Sequence, residues 1–62
     1  MNMYIELKRA RGRHFTVDVE KIVLVDESKE GTAVLYVEGI DGGIEIEDKY
    51  DYFVQHYLDI AP

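Results

Sequence analysis

Cysteine is absent from this 62-residue chain. That excludes disulfides and thiolate metal sites, and makes a reducing compartment the expectation. Histidine is scarce: His14 and His56 stand far apart, too few for a structural zinc site. No apolar run approaches the roughly 20 residues that cross a bilayer, and Met1 leads into no signal-peptide pattern. The expected setting is therefore soluble and cytoplasmic, with no membrane contact. The sole serine, Ser28, sits in an expected loop with neither histidine near it in sequence, so nucleophilic catalysis lacks its parts. No catalytic residue, metal or cofactor is expected, and the chain does not read as an enzyme. Repeats, linkers and low-complexity stretches are missing too.

What is there is short, acidic and lopsided. Residues 1–62 allow one β-rich domain. A chain of this size buries only about 60% of its unfolded surface, so with disulfides and metals gone the favoured stabiliser is a partner subunit. Through Thr16, four basic residues oppose Glu6 for a sum of +3. From Val17 onward three lysines oppose twelve carboxylates for −9, giving the net charge of −6. An acidic whole discourages non-specific nucleic-acid binding but leaves a basic end free to meet a phosphate.

Met3 to Lys8 and His14 to Val19 alternate apolar and polar residues, the period of half-buried strands. Met3, Ile5, Leu7, Phe15, Val17 and Val19 share odd parity. Placing Leu7 opposite Phe15 on one face therefore requires an odd loop. Ala10-Arg11-Gly12 fits as a type I turn closed by a left-handed glycine, and the expectation is φ > 0 at Gly12. A two-residue loop would set Leu7 opposite Thr16 and break the pattern.

Ile22 to Val25 and Thr32 to Val37 are apolar on both faces, so each calls for cover on both sides. Asp26 to Gly31 and Gly39 to Gly43 read as the loops, and Ile44 to Glu47 returns to alternation. The tail reads as a helix over about residues 48–59. Asp48 is its expected N-cap, Asp51 sits on the positive end of the dipole, and Tyr50, Phe53, Val54, Tyr57 and Leu58 form one apolar stripe. The fold expected is α+β: a small antiparallel sheet of four to five strands followed by one C-terminal helix. One helix covers one face of the central strands. The other face is expected to meet a second copy through Val23, Val25, Ala33, Leu35 and Val37.

Ile5-x-Leu7-x-Arg9 leading to Gly12, Phe15-x-Val17, Ile22 with Val25-Asp26, Thr32-x-Val34-x-Tyr36, and Ile44-x-Ile46 running into the helix together resemble the FlbD family of small flagellar proteins. The resemblance spans nearly the whole chain and rests mostly on alternating aliphatics. Small β-sheet proteins of bacteria and phages share the layout. The loop at residues 39 to 43 is longer than a tight Asn-Gly turn, and the tail is richer in tyrosine than the family pattern. The resemblance supports the fold more than the function.

Lys8, Arg9, Arg11, Arg13 and His14 crowd seven positions and are the candidate binding site for an anion or a partner, because arginine presents a planar fork of donors. The competing account is a wet turn whose cations pair with the chain's own carboxylates. Tyr52 falls off the apolar stripe beside His56, and these two are the candidate partner surface. Asp26, Glu27, Glu30, Asp41, Glu45, Glu47, Asp48 and Asp51 lack calcium-loop spacing and read as solvated surface. Asp41-Gly42-Gly43 reads as a turn.

The function these features favour is a small non-enzymatic interaction or regulatory protein. It self-associates as a dimer or larger homo-oligomer and binds another protein, as a phage-type inhibitor or an accessory protein. The alternative is a nucleic-acid or nucleotide/anion binder that uses the basic tip.

Overall fold

In the computed structural model, which describes residues 3–60, the two alternating segments become β1 (Tyr4–Lys8) and β2 (His14–Asp18). They pair antiparallel with Leu7 opposite Phe15 and Lys8 opposite His14, the register that parity requires. The Arg9 N–H donates to the Arg13 carbonyl at 3.2 Å and the Gly12 N–H to the Arg9 carbonyl at 3.3 Å, leaving Ala10, Arg11 and Gly12 as the loop. Gly12 nevertheless does not take a positive φ, contrary to expectation; the glycines that do are Gly31, Gly39 and Gly42. Gly12 serves closeness instead. A Cβ there would sit 3.2 Å from the Arg9 Cβ and 3.3 Å from its Cδ.

The left-handed glycine belongs to the next hairpin. The Ser28 N–H bonds the Thr32 carbonyl at 2.8 Å, the Gly31 N–H bonds the Ser28 carbonyl at 3.0 Å, and Gly31 has φ +89°. That is a three-residue loop closed by glycine. It joins β3 (Ile22–Glu27) to β4 (Thr32–Val37), and β5 (Ile44–Lys49) completes a second antiparallel sheet in the order β3-β4-β5. Between the sheets lies one 3-10 turn, Val19–Lys21, capped by the buried Asp18, whose Oδ1 accepts the Glu20 N–H at 3.0 Å. At the far side Arg9 bridges to Ile46, and the Ala10 N–H reaches the Glu45 carbonyl at 2.9 Å. The chain is α+β: five strands in two small antiparallel sheets, then one C-terminal helix.

That helix, α1, spans Tyr50–Tyr57, shorter than the stripe suggested, and Asp48 is not its cap. Asp48 stays in β5 because the β4–β5 ladder continues as far as Thr32 opposite Lys49. Lys49 becomes the N-cap without any side-chain bond, and the first helical N–H, at Tyr50, is taken by the Gly31 carbonyl at 2.8 Å. Neighbouring backbone supplies what a capping carboxylate would otherwise supply. Asp51 does occupy the first turn.

One core serves every element. Leu7 and Val17 from the β1–β2 hairpin, Ala33, Leu35 and Val37 from β4, Ile46 from β5 and Phe53 from α1 are buried together. This corrects the expected oligomer surface. Ala33, Leu35 and Val37 lie inside the single chain, and Val25 is partly buried against them. Hairpin and helix both cover the odd-numbered face of β4. The residues left outside are the even-numbered Val34 and Tyr36, half-buried, with Leu24 facing Tyr36 on β3. Only Val23 of the expected five stays exposed, at 70%.

Gly43, just ahead of β5, carries the outer face. A Cβ there would meet the Val34 Cγ1 at 2.6 Å and the Tyr36 Cζ at 2.9 Å. Gly43→Ala is expected to lower stability by about 1–3 kcal/mol through overpacking, read from the urea midpoint. Gly12→Ala meets only side-chain carbons of Arg9, none closer than 3.2 Å, and is expected to cost less.

Candidate functional site

The basic stretch is engaged in part by its own chain. β1 and the turn aim its members in different directions, and three of them are held by their own chain. The Arg9 guanidinium lies 4.7 Å from the centroid of the Phe15 ring, a cation–π contact. The Arg11 Nη1 sits 3.4 Å from the Glu45 Oε1. The Lys8 Nζ lies 4.0 Å from the Glu47 Oε1. Among the described residues the side chains of Arg13 and His14 have no hydrogen-bond or ion-pair partner. The excess carboxylates of β5 thus neutralise part of the tip that an anion would need.

The Arg11 contact belongs to a longer chain of bonds. The Thr32 hydroxyl donates to the Glu45 Oε2 at 2.6 Å and shares a proton contact with the Ser28 hydroxyl at 2.5 Å. The Ser28 Oγ also accepts the backbone N–H groups of Glu30 and Thr32 at 3.2 and 3.1 Å. Glu45 therefore ties the tip of the first hairpin to the loop of the second. Arg11 is a positioning group for the fold before it is a donor for a ligand.

Two concave regions among the described residues stand out. The first, about 280 Å³, is polar. Glu6, Leu7, Lys8 and His14 from the hairpin line one side, Glu47 and Asp48 from β5 the base, and Tyr52 and Tyr57 from α1 the other side. It brings Lys8, His14 and Tyr52 together, while Arg9, Arg11 and Arg13 lie outside it. His56 joins only through Tyr52, whose ring stacks on the imidazole at 4.0 Å and 23°. The Tyr57 phenol is raised above its ordinary 10.0 by partial burial first, then by the charge of Asp48 and by Tyr52. The described residues contain no group of three or more histidines and carboxylates able to hold a metal ion.

The second region, about 250 Å³, runs between β3 and α1 and is apolar. Ile22, Val23, Leu24 and Val25 form one wall; Tyr50, Val54, Leu58 and Ile60 form the other. A bulge makes it. β3 pairs Ile22 with Val37 but Leu24 with Tyr36, so Val23 is an extra residue and the alternation of faces breaks there. The helix end contributes as well: Asp59 takes φ 55°, and the Ile60 N–H bonds back to the Val54 carbonyl at 3.0 Å, laying Ile60 beside β3. Val23, Leu24 and Ile60 are 70%, 54% and 54% exposed. Among the described residues β3 has β4 on one side and no strand on the other. The sequence pattern marked Val23 and Val25 for an interface and Leu58 for the helix stripe, but it singled out neither Leu24 nor Ile60 as a site residue, because neither the bulge nor the turn at Asp59 leaves a mark in residue periodicity.

No family model matches the chain, and neither a curated protein nor a solved structure matches it. No helix among the described residues is long and apolar enough to cross a membrane.

The Tyr57 phenol holds its proton more tightly in the folded chain than in the unfolded one. Its contribution to stability is therefore complete below pH 10.0 and is lost as pH rises through the higher folded value. Tyr57→Phe is expected to flatten the loss of stability at alkaline pH, seen as a urea midpoint that falls less above pH 10.0 than that of the parent.

Proposed function

We propose that this chain is a small non-enzymatic interaction protein that self-associates and binds another protein. The observation that carries the reading is the apolar groove along the free edge of β3, which Val23, Leu24 and Ile60 line and where each of them is exposed. Single exposed apolar residues are ordinary, but an apolar groove beside the unpaired edge of a strand marks a contact surface. The resemblance of the strand pattern to the FlbD family of small flagellar proteins is in keeping with the same role.

Magnitudes favour a modest association. Covering each exposed Val, Leu or Ile side chain contributes about 1–2 kcal/mol. Lost translational and rotational freedom costs about 4–15 kcal/mol. Two copies sharing the groove come near balance on apolar area alone, so backbone pairing and charge decide the outcome. The polar cleft, with its stacked Tyr52 and His56, is a second surface on which a protein partner can be recognised without competing for the groove.

Sedimentation at rising concentration is expected to show more than the monomer mass of 7.2 kDa. Val23→Asp with Ile60→Asp is expected to return the chain to monomer while its circular dichroism melt stays close to that of the parent. A parent that is monomeric throughout, and that enriches no protein from native lysate beyond what the double variant enriches, would end this reading.

A further inference from the structure

Residues Lys21 to Glu27 read K-I-V-L-V-D-E, cationic at one end, apolar in the middle and acidic at the other. β3 presents that sequence along an edge with no neighbouring strand. Exposed edges are normally blunted by lysine, proline, covering loops or bulges. Here the bulge at Val23 is the one such device between Ile22 and Val25, and from Leu24 to Glu27 the pairing with β4 is regular. An edge that is apolar at its centre and oppositely charged at its ends is complementary to its own reverse.

We infer that β3 pairs antiparallel with β3 of a second copy about a two-fold axis at Leu24, joining two three-stranded sheets into one of six strands. The inference rests on the self-association proposed above and names its geometry. Facing residues in an antiparallel pair share a face of the sheet, and a two-fold axis normal to the sheet leaves each residue on its own face. The axis must then pass at a residue that faces itself. With Leu24 there, Leu24 meets its own copy on the outer face, and Val23 and Val25 of opposite copies come together at the edge. Lys21 of each copy lies beside the Asp26–Glu27 pair of the other. A parallel arrangement would instead set acidic ends against each other. Lys21 is free to turn: its Nζ lies 3.8 Å from Glu38 in its own chain, and both side chains are more than half exposed. The two grooves open on the same side of the joined sheet, so Leu58 and Ile60 of both copies line one apolar trough.

The test uses two charge variants of the full chain, Lys21→Glu and Asp26→Lys with Glu27→Lys, alone and mixed. All three positions are exposed, and circular dichroism checks that each variant folds. Alone, each variant sets like charges opposite one another. Its dimer is expected to weaken by about tenfold or more in sedimentation velocity. Mixed in equal amounts, an all-acidic edge meets an all-basic one, and native mass spectrometry is expected to show the heterodimer restored. Weakening without restoration on mixing would overturn the antiparallel pairing. Self-association unchanged in both variants would overturn it too, while leaving self-association to another face. A parent that is monomeric at high concentration, with fast amide exchange from Val23 to Val25, would overturn both at once and leave the edge to a foreign strand.

Discussion

Phe53 is where this molecule closes. Its ring is fully buried, and it is the only α1 side chain in the central cluster with residues from both β1 and β2 and from β4 and β5. The hairpin, the three-stranded sheet and the helix each have one apolar face, and with 62 residues there is a single interior to receive all three. That constraint sets everything outside it. Hairpin and helix are both spent on the same side of β4, and the edge of β3 is where cover runs out.

The parts of this arrangement that periodicity encodes were readable in advance. Odd parity across Leu7 and Phe15 gave the register of the first hairpin, because a slip of one residue would turn every apolar side chain to water. The stripe through Phe53 and Val54 gave the helix and its buried side. Parity also showed that β4 is apolar on both sides, but it does not say which side the chain itself covers. Ala33, Leu35 and Val37 proved to be interior, and the uncovered residues lie one position away in phase and on β3. Backbone features outside the periodicity stayed hidden: Gly12 is small to clear the Arg9 stem, while the left-handed turn sits at Gly31. Asp48 has the chemistry of a cap, yet the ladder to Thr32 holds it extended.

The basic stretch shows how a local charge pattern is overruled by tertiary pairing. Five cations or near-cations in seven residues look like a site while the chain is read as a line. In the fold, β5 passes beneath them carrying Glu45 and Glu47, and Arg9 lies across Phe15. Exposed pairs of this kind contribute little to stability individually. Their effect here is on direction, since they spread the cationic heads apart. What remains of the candidate site is the part that faces α1, where Lys8 and His14 meet Tyr52.

The turn at Asp59 bears on how the molecule is handled at the bench. It swings Ile60 back against Val54 and beside β3, so the last described residue already lines the apolar groove. A fluorescent label placed at position 60 itself would therefore sit in that surface and act as a steric plug, masking any contact made there.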